Sequence, residues 1–207
     1  MRLAGTDALL VVDVQNDFLP GGALAVPDGD AVIAPVNRLA ALAPHVIVTQ
    51  DWHTPGHASF ADSHDRAPFE TVQLGYGEQV LWPEHCVQGT PGADLAPSLD
   101  LRRAELLIRK GHQPGVDSYS AFKEADRQTR TGLGGYLRER GLSRLFLCGL
   151  ATDFCVLWSA LDAREAGFET VVIADAVRGI DRDGSVARAW AAMDRAGVVR
   201  VASADLS

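Results

Sequence analysis

Six residues of this 207-residue chain carry side chains suited to one connected chemistry: Asp13, Asp51, His53, His85, Lys110 and Cys155. Cys155 lies in LCGLATDFCVLW (147–158), where an apolar run gives way to glycine, then Ala-Thr-Asp, then a thiol opening a helical pattern. Thr152 or Asp153 can cap that helix, and a cysteine in its first turn meets a dipole and backbone donors that favour the thiolate, the nucleophilic form. Cys148, inside the preceding run, reads as a buried and inert thiol. Lys110 ends the apolar run ELLIRK and Asp13 lies near the end of ALLVVDV. Singly, each suits a strand exit or a turn. With Cys155 they form a nucleophilic set, an ammonium to steady the thiolate and a carboxylate to shuttle its proton.

Asp51 and His53 stand two residues apart, so on an extended segment both point to the same side. His85, in WPEHC, supplies a third ligand if the chain folds back. One carboxylate and two imidazoles suit Zn²⁺, Fe²⁺ or Mn²⁺ with positions left open for water or substrate. His53 and His57 have helical spacing, but Pro55-Gly56 between them argues against a helix. Cys86, beside His85, reads as a small packing residue. The GLGG at 132–135 follows no strand and lacks the Lys-Ser/Thr of a phosphate loop, so it reads as a flexible helix start.

These groups need a scaffold that brings them to one edge. Six short apolar runs read as strands: 8–14, 45–50, 105–110, 144–150, 169–177 and 198–203. They are near-continuously apolar, as in strands covered on both faces. Helical patterns fill residues 29–42, 131–140, 152–166 and 184–196. The alternation predicts a three-layer α/β fold with a mostly parallel, doubly wound sheet. Ligands of such sheets bind beyond the carboxyl ends of the strands. Asp13, the Asp51–His53 pair, Lys110 and Cys155 all follow strands at that edge. Residues 51–101 break the rhythm with five prolines and five glycines, and so long an irregular stretch is usually functional.

Composition narrows the function classes. With 47% hydrophobic and 22% charged residues, the chain reads as globular, and its length fits a single domain over 1–207. A net charge of −8 with scattered basic residues argues against nucleic acid or an anionic membrane as partner. No run approaches the ~20 apolar residues of a membrane span. Three sparse cysteines fit a reducing, cytoplasmic setting rather than a disulfide framework. A small-molecule substrate is the expected partner, with a homo-oligomer left open.

Several stretches also resemble a known family. DVQNDF (13–18), DWH (51–53), WPEHCVQGT (82–90), KG (110–111), DSYSAF (117–122), GLATDFCV (149–156) and DAVRGI (175–180) resemble, in order and spacing, the nicotinamidases (pyrazinamidases) of the isochorismatase-like cysteine hydrolases. The resemblance implies a six-stranded parallel sheet with helices on both faces. It implies a catalytic triad of Asp13, Lys110 and Cys155, and one divalent metal, Zn²⁺ before Fe²⁺ or Mn²⁺, on Asp51, His53 and His85. Waters, His57 or Ser59 would complete the shell. It further implies a cis Leu150–Ala151 peptide, an oxyanion hole from the Ala151 and Cys155 N–H groups, and Phe18, Trp82 and Tyr119 around an aromatic ring. The expected reaction is hydrolysis of nicotinamide to nicotinate and ammonia through a cysteine thioester, a step in salvage toward NAD. The rivals are an N-carbamoyl amidase or vinyl ether hydrolase on the same scaffold, and a non-catalytic metal- or ligand-binding module. The histidine set speaks against the first, and the intact triad against the second.

Overall fold

The computed structural model describes all 207 residues. The main sheet has six parallel strands: β1 (Asp7–Val12), β2 (His45–Asp51), β5 (Ala104–Lys110), β6 (Arg144–Leu150), β7 (Glu169–Arg178) and β8 (Val199–Val201). Their spatial order is β5-β2-β1-β6-β7-β8. The chain winds outward from β1 toward β5, then restarts at β6 and winds toward β8. The switch point therefore falls between β1 and β6, where Asp13 and Cys155 leave the sheet.

Two cores flank the sheet because successive strand side chains point to opposite faces. Leu9, Val11, Val48, Phe146 and Cys148 pack with α1 (Ile33–Leu42) and the loops beneath Trp82. Leu10, Val12, Ile47, Leu145 and Leu147 pack with α2 (Leu133–Glu139), α3 (Leu157–Glu165) and α4 (Ser185–Arg195). Helices thus cover both faces, as expected, with one on one side and three on the other. The inner strands β1, β2 and β6 are buried almost throughout. β5 is not: its burial alternates, with Leu107 44% exposed, because as an edge strand it is covered on one face only.

Other boundaries depart from the sequence reading. β1 stops at Val12, and Asp13 turns out of the sheet with φ 46°. Residues 29–32 form a tight turn before α1 begins at Ile33. Inside the irregular 51–101 stretch lies a hairpin, β3 (Thr71–Leu74) and β4 (Gly77–Val80). It escaped the sequence reading because it is largely polar and carries no apolar run. No helix is long and apolar enough to cross a membrane.

Candidate active site

The three strand-end groups of the nucleophilic set meet in space. Lys110 Nζ lies 2.8 Å from Asp13 Oδ2 and 3.5 Å from Cys155 Sγ. The same ammonium donates to Asp51 Oδ1 at 3.1 Å and to the Ser118 carbonyl at 3.3 Å. Asp13 Oδ1 accepts from the Thr49 hydroxyl at 2.6 Å. Asp13, Lys110, Asp51 and Cys155 are all buried. Burial disfavours the Lys110 charge, but the carboxylates of Asp13 and Asp51 outweigh it and hold the ammonium well above the usual lysine range. Burial, reinforced by Asp51, raises Asp13 despite Lys110.

Cys155 differs from its sequence reading in two respects. The chain after β6 first makes a wide turn, Thr152–Val156, with the Val156 N–H donating to the Ala151 carbonyl at 3.1 Å, and α3 begins only at Leu157. Neither Thr152 nor Asp153 caps it. The Asp153 carboxylate instead accepts from the Ile180 and Asp181 N–H groups at 3.0 and 2.9 Å, tying this turn to the segment after β7. Second, the thiol is pushed up rather than down. Burial dominates, with Asp13 and Asp51 adding to it and Lys110 opposing. Burial therefore favours the protonated thiol, next to the Asp13 carboxyl group. The Leu150–Ala151 peptide is cis, and the Ala151 N–H finds no acceptor within the protein.

The metal trio also converges. His53 Nε2 and His85 Nε2 lie 3.0 and 3.5 Å from Asp51 Oδ2. The irregular stretch achieves this by zipping back on itself. His53 N–H donates to the Cys86 carbonyl at 3.0 Å, and Gln88 N–H to the His53 carbonyl at 2.8 Å, so residues 86–88 run alongside 52–53 and carry His85 in. The ring tautomers are dictated by their partners. His53 Nδ1 faces the Gly111 carbonyl at 3.1 Å and His85 Nδ1 the Pro83 carbonyl at 2.8 Å. A carbonyl only accepts, so both Nδ1 atoms carry hydrogen and both Nε2 lone pairs turn toward the Asp51 carboxylate. Three acceptors facing one another need a cation between them, and all lie within 4.8 Å. The donor set therefore fits a divalent metal. Without one, a proton serves: burial opposes charging His53, but Asp51 prevails and raises its pKa.

His57 stands against His53, with ring centroids 4.4 Å apart, and forms a second convergent group with His53 and Asp117. Its nitrogens are already engaged, Nε2 donating to the Gln113 carbonyl and Nδ1 paired with Ser59 Oγ, each at 2.8 Å. Cys86 is buried in the apolar core, and burial raises its thiol, in keeping with a packing role.

Between thiol and metal trio opens a small, mostly apolar cleft. Phe18, Trp82 and Tyr119 line it with Ala151, Cys155, Asp51 and His85. All the site residues expected from sequence therefore border one cavity or touch a group that does. Sequence reasoning missed Phe154, whose ring stands edge-on to Trp82 at 4.8 Å, and Asp117, 4.0 Å from His53 Nε2. It also missed Gln15, whose side chain donates to the Asp51 carbonyl and accepts from the Asp51 N–H, both at 2.8 Å. The buried polar residue inside DVQNDF was the available signal: a glutamine needs partners when it leaves water.

A doubly wound sheet with this cluster at its switch point defines the class: residues 7–205 match the isochorismatase domain model, and the chain belongs to that family. Within it, the chain is 53% identical to a nicotinamidase of Acinetobacter baylyi, over 100% of this chain and 97% of the relative. A solved nicotinamidase/pyrazinamidase from Acinetobacter baumannii superposes with a TM-score of 0.96 at 54% identity, covering 98% of each chain. A protein from L. infantum in complex with nicotinate follows with TM-score 0.89, 38% identity and 100% and 98% coverage. A pyrazinamidase of Pyrococcus horikoshii in complex with zinc has TM-score 0.78, 37% identity and 95% and 99% coverage.

Proposed function

We propose that this protein hydrolyses nicotinamide to nicotinate and ammonia. The single observation carrying the reading is Lys110, whose ammonium touches Asp13, Cys155 and Asp51 at once and so joins a nucleophile to a metal-ligand trio beside a small cleft walled by aromatic rings. Similarity to nicotinamidases over the full chain supports the substrate.

Phe18, Trp82 and Tyr119 enclose the pyridine ring. Asp51, His53 and His85 would hold a divalent ion, which would supply a Lewis-acidic anchor for the aromatic ring; the two-imidazole, one-carboxylate donor set and the zinc-bound relative favour Zn²⁺. Cys155 Sγ attacks the amide carbon while its proton moves to Asp13, which avoids forming a free thiolate in a site that disfavours it. Asp13 then protonates the departing ammonia. The N–H groups of Ala151 and Cys155 receive the oxyanion, a contribution of about 3 kcal/mol per donor at comparable sites. Water, deprotonated by Asp13, cleaves the thioester. Lys110 keeps the Asp13–Cys155 pair near charge balance throughout. The whole chain acts as one domain, supported by both cores sharing one sheet. Three free cysteines support a cytoplasmic setting, and the product suits NAD salvage.

Ammonia release from nicotinamide by metal-analysed protein tests the reading. Cys155→Ala is expected to lose turnover while keeping its metal; normal turnover in that variant removes the nucleophile assignment. No ammonia from the unaltered protein overturns the function itself.

A further inference from the structure

The β3–β4 hairpin, absent from the sequence reading, reaches into the site through one residue. Gln79 on β4 is 1% exposed, although its hairpin is otherwise largely open to solvent. Its amide nitrogen lies 2.6 Å from Asp117 Oδ2, 3.1 Å from the Tyr119 hydroxyl and 2.6 Å from the Val80 carbonyl. Its amide oxygen accepts from the Tyr76 hydroxyl at 2.9 Å, and the Asp117 N–H donates to that same hydroxyl at 3.3 Å. Trp82 Nε1 donates to the Tyr119 hydroxyl at 3.0 Å. The network has a direction. Trp82 donates to Tyr119, and the two amide protons of Gln79 are shared among the Asp117 carboxylate, the Val80 carbonyl and the Tyr119 hydroxyl, whose own proton is left for Asp117.

Three of these partners, Trp82, Tyr119 and Asp117, line the cleft; Gln79 does not. Tyr119 also borders, with Gln79 and Tyr76, a second, outward cavity, so Tyr119 and Gln79 form the wall between cleft and solvent on this side. A tyrosine ring hinged on its backbone is located by what holds its hydroxyl, and a buried carboxylate is held by its donors.

We propose that Gln79 is the positioning residue of the ring-binding slot: by donating to both Tyr119 and Asp117 it sets the width of the slot and so the affinity for the aromatic amide. The inference rests on the nicotinamidase reading, and the experiment separates the two. Gln79→Leu keeps the size of the side chain and removes both donors. Losing a buried hydrogen bond to a charged group typically changes an equilibrium by about tenfold or more. Gln79→Leu is therefore expected to raise KM for nicotinamide about tenfold, with kcat changed less than threefold and metal content unaltered. Tyr76→Phe, at the hairpin turn, leaves Gln79 in place but removes its donor and the acceptor of the Asp117 N–H, and is expected to raise KM in the same direction by less. In a Gln79→Leu/Tyr119→Phe cycle, the two KM effects are expected to combine to less than their product, because both act on one hydroxyl. An unaltered KM in folded Gln79→Leu, or in Tyr76→Phe should Gln79→Leu not fold, overturns the proposal. So does a fall in kcat alone, which is what a merely structural residue produces by lowering the active fraction. If the unaltered protein releases no ammonia, the functional reading has failed first.

Discussion

Asp13 is the residue on which the chemistry turns, and its environment gives a pH prediction. Burial lifts its carboxyl above the ordinary 3.8, while Lys110 and the Thr49 hydroxyl pull it back. A raised carboxyl makes its stability contribution at low pH and gives it up as pH rises through the folded pKa; over that same window it gains the ionised form needed as a base. The acid limb of kcat/KM is therefore expected to lie above the range of an exposed aspartate. Thr49→Val removes the 2.6 Å hydrogen bond to Oδ1 and is expected to move that limb to higher pH. A pH–rate profile checks this, and a limb that does not move counts against Asp13 as the base. Acid also puts a proton on the His53 Nε2 that faces Asp51, so metal is expected to leave as pH falls.

At the scale of elements, β1 and β6 must pass very close to bring Asp13 and Cys155 together. Gly149, with φ 108°, pairs with Val12, and a Cβ there would stand 2.1 Å from the Val12 carbonyl oxygen. That neighbour is backbone and has nowhere to go. Gly149→Ala is expected to cost roughly 3 kcal/mol or more, read by urea denaturation, with activity lost in proportion to folded protein. The sheet itself was legible in the sequence because its inner strands are unbroken apolar runs, and so was the thiol, which follows one of them. Elements positioned by polar contacts were not. The β3–β4 hairpin has no apolar period and joins the site through one buried glutamine. The Thr152–Val156 turn looks helical in sequence, yet Asp153 spends its carboxylate on the chain after β7, a contact far away in sequence. Likewise, no spacing rule says that residues 86–88 will zip onto 52–53; that pairing follows from the folded segment as a whole.

At the scale of the whole molecule, the irregular 51–101 stretch and the sheet edge meet at the metal trio: Asp51 ends a strand, whereas His53 and His85 come from loop. An ion bound there fastens loop to sheet, so chelation is expected to lower the melting temperature as well as activity. Binding in excess over its dissociation constant stabilises by roughly 3–4 kcal/mol, which for a chain of this size corresponds to a shift on the order of 6–16 °C. Thermal melts before and after chelation, with Zn²⁺ added back, measure it; an unchanged melt shows that the loop is held without the ion.

Lys110 also has a consequence for how such a site can diverge. One side chain is the common post between the atom that attacks and the atoms that anchor. The span between handle and blade is thus set inside the sheet, like the fixed jaw of a caliper. Accommodating a longer or shorter substrate falls to the movable jaw, the loops and hairpin around the ring, while the post stays where it is.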